Sequence, residues 1–413
     1  MKLLKMLPFL PLLLLLSGCW DRLELEEQAF VVVVGLDSGP NHTVAVTFQI
    51  ANPQVGSSDK GSAQNEPPSD IVTFNAADIL SAKELANSVI TRKISFAHLR
   101  TVIVSQEFAK SGLFHRILGS SVRDPEMRRE INLIVSKEKA SDFVKNNKPK
   151  LETRPHKYYA FMQERWRDTG YVPYSTLNRY MQRLGDDTLF LAIYATASKK
   201  ETKYSKNEDN YLAGQIPHKG GDPVEIMGSA VFRAGKMIGT LTGEETRYAL
   251  FLRRKSLTHS FIATYPDPLN EEYQITCRFM KNGKAEIKMN AKSDPVQVSV
   301  RIPFRVQVLS TASFVDYASD AEKQRQLKDG LQRKLADRIK QLVAKTQRTY
   351  KGEPFLWHLI ARNQFWTLDE YESYNWSEQY TRAQVQVQVD LTIVNFGKQV
   401  EPPIMHISGD EQP

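Results

Sequence analysis

The sequence predicts an α+β protein of several domains, with mixed or antiparallel sheets and packed helices. Three observations predict it. Val296, Val298, Val300, Ile302, Phe304, Val306 and Val308 occupy every second position, as do Val385, Val387, Val389, Leu391 and Ile393. Such alternation marks a strand with one buried face. Between these runs, Leu327, Leu331, Leu335, Ile339 and Leu342 share one face of a long helix that can cover the buried side. In the first half, short apolar runs alternate with amphipathic segments, which points to a mixed α/β layer.

The chain begins with an export signal: Lys2 and Lys5, an apolar run from Met6 to Leu16, then small Ser17 and Gly18. A membrane helix needs roughly 20 apolar residues, and this run is shorter and contains Pro8 and Pro11. No second stretch of spanning length follows, so the remainder is expected to be water-soluble. Leu16-Ser17-Gly18-Cys19 resembles the lipobox of bacterial lipoproteins. The resemblance implies cleavage between Gly18 and Cys19, S-diacylglycerol on the Cys19 thiol and N-palmitoylation of the new terminus. Two acyl chains anchor a protein stably where one does so only marginally. The plainer alternative is a chance cysteine behind an ordinary secretory signal.

After this seam, Gln28 to Leu36 reads as a strand whose valine run is buried on both faces. Gly39-Pro40-Asn41 turns the chain, and Thr43 to Ile50 returns it as a hairpin. Asn52 to Ser69, rich in Ser, Gly, Pro and Asn, reads as a loop and is expected to be mobile. A short strand, Ile71 to Phe74, precedes a helix carrying Ile79, Leu80, Leu85, Val89 and Ile90 toward the sheet. Leu99 to Val104 and Ile131 to Val135 are strands, each followed by a helix, the second over Lys139 to Val144. Lys145 to Pro149 marks a boundary; Tyr158 to Leu184 is helical and Thr188 to Thr196 a strand. Ser198 to Pro223 reads as a linker or long exposed loop.

Gly228 to Met237 superficially resembles a phosphate loop, but its glycines lie seven positions apart and Met237 stands where a magnesium-binding Ser or Thr belongs. Strand, turn at Ala234-Gly235, strand is the better reading. Further on, Tyr273, Ile275, Cys277 and Phe279 alternate with polar residues. Asn282-Gly283 then predicts a hairpin whose return strand carries Ala285, Ile287 and Met289. Pro303 favours an edge or a bulge in the next strand.

The 413 residues suggest two or three domains with enough burial to fold without covalent staples. The boundaries read as a signal peptide over 1–18, an amino-terminal α/β domain over 19–148, a middle helical or mixed region and linker over 149–222, a carboxyl-terminal α+β domain over 223–400 and a tail over 401–413. Only Cys19 and Cys277 are present, so no disulfide is expected; Cys277 reads as a small buried hydrophobe. The formal charge of +8 loses two with Lys2 and Lys5 on cleavage. That excess suits an anionic membrane or wall surface as readily as nucleic acid.

No catalytic residue, metal site or cofactor is predicted. The eight histidines, among them His98, His156, His259 and His358, are scattered without metal-ligand spacing, and no nucleophile elbow is present. The long helix carries nine Lys or Arg against four Asp or Glu between Asp320 and Arg348. These form either a binding patch or a solvated face. Phe355, Trp357, Phe365, Trp366, Tyr371, Tyr374 and Trp376 read as core closure ahead of a ligand site.

Gly18-Cys19-Trp20-Asp21-Arg22, with Glu24, Leu25, Ala29 and Val34-Gly35-Leu36-Asp37, closely resembles the start of the C-subunit lipoproteins of spore germinant receptors, the Ger(x)C family. Leu36 departs slightly from the isoleucine frequent there. The likeness continues through Phe96, His98, Leu99, Glu107, Ala109 and Gly112, then Arg123-Asp124-Pro125-Glu126 and Arg128. It resumes at Gly228, Ala230, Val231, Phe232, Lys236, Gly239 and Leu241, with Glu245-Thr246-Arg247 after them. Arg123, Asp124 and Arg128 read equally as an interaction surface or an internal ion-pair network.

The resemblance implies three α/β-type domains of unusual topology and no catalytic centre. It implies a lipoprotein on the outer face of the spore inner membrane, anchored in lipid through Cys19, whose partners are the integral-membrane A and B receptor subunits. Nucleic acid is not an expected partner, and the complex as a whole recognises a small nutrient. A solute-binding lipoprotein of a transporter is the alternative and requires two similar lobes. A lipid-anchored wall hydrolase is another, and requires an acid/base pair or metal cluster.

Overall fold

The computed structural model describes residues 24–52, 67–185, 188–201, 209–256 and 258–397. Two sheets organise them. The first has nine strands in the order β3-β2-β1-β5-β6-β7-β8-β9, with β4 beside β1. Gln28–Ser38 (β1), Val44–Ala51 (β2) and Ser69–Ala76 (β3) form an antiparallel meander. Lys93–Ser95 (β4) and Thr101–Ser105 (β5) both run parallel to β1. Asn132–Ser136 (β6) and Phe190–Thr196 (β7) continue the parallel run. Glu225–Arg233 (β8) and Lys236–Leu241 (β9) finish the sheet antiparallel.

Parallel neighbours require crossovers. Gln106–Ala109 (α2) and Phe114–Ser121 (α3) carry the chain from β5 to β6, while Ala140–Asn146 (α4), Pro155–Thr169 (α5) and Leu177–Leu184 (α6) carry it to β7. The crossovers cover both faces, which accounts for the valine run: Val31 and Val34 enter one core, Val32 and Val33 the other. The sheet runs through residues on both sides of positions 148 and 222. Gly170 (φ 70°) ends α5, dividing the predicted helical stretch into two helices.

The second sheet contains Ser260–Asp267 (β10), Asn270–Lys281 (β11), Glu286–Asn290 (β12), Gln297–Thr311 (β13) and Gln384–Asn395 (β14). Its alternating apolar positions on β13 are buried, as the period of two predicts, and Cys277 is buried and free. The helix Ala321–Lys345 (α8) lays Leu327, Leu331, Leu335, Ile339 and Leu342 on that core. It is the main part of the crossover that makes β14 parallel to β13. Gly330 permits close approach of the β10–β11 turn, because a Cβ there would lie 2.6 Å from Pro268 Cγ.

Three expectations are corrected. Asn282-Gly283 does not turn a β11–β12 hairpin. Instead β11 pairs with residues 304–311 of β13 and β12 with 297–301, on the same edge and in the same direction. The intervening residues form a kink opposite Pro303, whose carbonyl accepts from Asn282 N–H at 3.0 Å. A strand residue directs its N–H and C=O to the same side, so the donor that Pro303 lacks falls at this break. The helix predicted after β3 is Ile79–Asn87 (α1), packed through Ile79, Ala82 and Ala86, while Leu85 and Val89 are exposed. Small alanines let it sit closer to the sheet than the larger residues would. Finally, the stretch read as linker or exposed loop is in part packed: Asp209, Tyr211 and Ala213 are buried. The loop predicted over Asn52 to Ser69 lies mostly outside the described residues.

Candidate functional site

Gly18 and Cys19, the predicted cleavage and lipidation residues, lie outside the described residues, as do Trp20, Asp21 and Arg22. Other stretches singled out in the sequence resolve into structural devices. Asp37 is buried and accepts from the N–H groups of Ala140 (2.8 Å) and Ser141 (3.0 Å), tying β1 to the start of α4. Lys83 pairs with Asp124 (3.5 Å) and Glu126 (3.2 Å), and Glu126 also accepts from Phe96 N–H. These two carboxylates therefore belong to an internal network, whereas Arg123 and Arg128 are exposed. Ala234-Gly235 forms the predicted turn, both with positive φ.

A buried polar constellation lies where the first sheet meets the C-terminal unit. Thr242 begins the helix Gly243–Phe251 (α7) with a capping box to Glu245, satisfying two amide donors reciprocally. Almost every residue of α7 is buried, including Arg247 at 1% exposure. A buried charge is tolerated only when paired and hydrogen-bonded, and Arg247 is both. It forms an ion pair with Asp209 and donates through Nε (3.1 Å) and Nη2 (2.9 Å) to Thr169 O. Its guanidinium also lies 4.2 Å from the Tyr171 ring centre and 4.5 Å from that of Phe261. Burial pulls its pKa down, but Asp209 and Tyr171 more than compensate, and the net direction is upward. One side chain thus joins the end of α5, the 209 segment and β10.

Glu245 and Thr246 flank it with contacts of their own. Thr246 Oγ1 lies 2.7 Å from Ser229 Oγ on β8, and Glu245 takes Lys345 of α8 at 2.8 Å. Glu244 accepts from Arg338 of α8 (3.1 Å) and from Tyr248 (2.8 Å). Burial raises its pKa, and the Arg338 charge opposes the rise. Two cations of the basic helix are thereby spent inside the molecule. Lys323, Arg325 and Lys340 pair with carboxylates three residues away on exposed turns, contacts that contribute little.

The aromatic segment divides as well. Phe355, Trp357 and Trp376 are fully buried, and Trp357 Nε1 donates to Leu252 O at 2.9 Å. Trp366 is 94% exposed. His358 is buried, with Nδ1 3.2 Å from Glu353. Burial pushes the Cys277 thiol up to about 12, so it is not primed as a nucleophile. Among the described residues no three His, Cys, Asp or Glu side chains assemble as a metal site, and no helix is long and apolar enough to cross a membrane. Sequence reasoning selected Glu245-Thr246-Arg247 but missed Asp209, whose place in a polar stretch gave no signal of burial.

Comparison with known proteins agrees with this architecture. Residues 21–196 match a family described as the spore germination protein N-terminal domain, and residues 227–397 one described as spore germination B3/GerAC-like, C-terminal. The chain is 23% identical to spore germination protein KC of Bacillus subtilis (strain 168), over 76% of this chain and 79% of that one. It is 22% identical to spore germination protein B3 of the same organism, over 94% and 96%. A crystal structure titled as that of the GerBC protein aligns with 88% of this chain and 97% of its own, at a TM-score of 0.53 and 15% identity, a likeness of fold.

Proposed function

Because the chain belongs to the Ger(x)C family of spore germination proteins, we propose that it is the lipid-anchored, non-enzymatic C subunit of a germinant receptor. It acts at the outer face of the spore inner membrane with two integral-membrane subunits, A and B, in a complex that responds to a small nutrient. The observation that carries this reading is the succession on one chain of a lipobox at Leu16–Cys19 and both family matches in order. Diacylglyceryl and palmitoyl chains on Cys19 would confine the protein to the membrane plane and raise its effective concentration near A and B. The unlike nine-stranded and five-stranded sheets favour this over a solute-binding lipoprotein, which needs two similar lobes.

The test is a Cys19→Ala variant in a spore-forming host lacking A and B. The parent protein is expected to incorporate labelled palmitate and to sediment with membranes, and the variant to do neither. A variant that stayed fully membrane-bound would remove the anchor from the proposal. With A and B present, deleting the chain is expected to abolish the response to that receptor's nutrient; an unchanged response would remove the receptor role.

A further inference from the structure

A cavity of about 320 Å³ opens where α5 and α6 of the first unit face the loop after α7. Its lining includes Trp166, Tyr174, Arg179, Arg253, Lys255 and Leu356. The walls are pinned by long-range bonds. Trp357 holds Leu252, and Arg253 donates through Nε (3.1 Å) and Nη2 (3.0 Å) to Pro354 O. The pocket is therefore formed in advance, which lowers the ordering cost of filling it.

Its polar side is cationic. Among the described residues, Arg179, Arg253 and Lys255 form no salt bridge with a carboxylate. Arg179 instead lies over the Tyr174 ring, 4.4 Å from its centre. The two bonds to Pro354 fix the plane of the Arg253 guanidinium without neutralising it. Burial, followed by the charges of Arg179 and Arg183, pushes the Arg253 pKa down to about 10, with Glu353 opposing. An anion in the cavity would reverse that trend. Its other side, Trp166, Tyr174 and Leu356, offers apolar surface that inorganic phosphate could not use.

We propose that this cavity binds a small organic carboxylate, its charge held by Arg179 and Arg253 at the cationic side and its apolar body against Trp166, Tyr174 and Leu356. A guanidinium matches a carboxylate in both charge and geometry. Lys255, exposed at the mouth, adds attraction for the incoming anion. The inference stands on the cavity alone and does not rest on the anchor or on subunits A and B.

The test is calorimetric titration of the full-length protein in detergent with propionate, hexanoate and 3-phenylpropionate, beside 3-phenylpropanamide and inorganic phosphate. At least one carboxylate is expected to saturate, and the amide and phosphate to bind about tenfold more weakly or less, as loss of a charge-assisted contact dictates. Arg179→Gln is expected to weaken carboxylate binding by a similar factor at an unchanged melting temperature. If Arg253→Gln fails to fold because Pro354 loses its partner, Arg179→Gln decides the matter. Absence of saturation by all three carboxylates, equal binding of the amide or phosphate, or an unaffected Arg179→Gln variant would each overturn the proposal. Membrane retention of the Cys19→Ala variant is a separate readout, so failure of one proposal is not failure of the other.

Discussion

Arg247 concentrates the seam into a single side chain. Replacing it with Met keeps most of its length but leaves Asp209 as a buried carboxylate without its cation. Breaking such a pair costs about 3–5 kcal/mol, so Arg247→Met is expected to lower denaturant stability by about that amount. Pairing it with Asp209→Asn should recover part of the loss, because the stranded charge is removed as well. Urea titration of the single and double variants checks both statements; equal stability of Arg247→Met and parent would show that the ion pair contributes nothing net. The site was half legible in the sequence at this scale. Glu245-Thr246-Arg247 stood out, but the partner of Arg247 lies 38 positions away in a stretch of polar composition, and neither periodicity nor spacing connects them.

Among the elements, α8 offers a test in which two local effects oppose each other. Gly is less favourable than Ala in a helix interior by about 1 kcal/mol, so propensity alone predicts that Gly330→Ala stabilises. The rigid ring of Pro268, 2.6 Å from the added Cβ, predicts a larger cost of about 1–3 kcal/mol from overpacking. The variant is expected to unfold at a lower temperature than the parent; a higher one would mean that the β10–β11 turn gives way freely. The strands of this unit were legible because burial of one face imposes a period of two on β13 and β14. The partner of β12 was not. Asn282-Gly283 is a local signal for a hairpin, whereas the missing donor of Pro303 acts across strands and decides the pairing. The inward face of α1 was misread for a similar reason: Ala82 and Ala86 carry little weight in a hydrophobic pattern, yet close packing selects them.

The whole molecule behaves as one body at its seam. Leu191, Val231 and Leu241 from the first sheet, with Leu189 just before β7, share a core with the five-stranded sheet and α8, and Leu189 N–H donates to Glu353 O at 3.1 Å. With Arg247 and Trp357 these contacts couple the two units, so scanning calorimetry of the full chain is expected to give a single unfolding transition. Two resolved transitions, each retained when the other unit has melted, would refute that coupling. The α+β class and the mixed sheets followed from strand and helix periods, but the continuation of the first sheet to β9 did not, because strand order is set by crossovers that leave no periodic trace. The parallel pairing of β13 with β14 has a kinetic consequence. Val298 must wait for Val385 to emerge and cross back, so a strand rich in valine keeps an open edge while the intervening chain is still arriving. Closing so distant a ladder is slow, and an unpaired edge recruits other chains; the interval before β14 docks is when this protein is most exposed to aggregation.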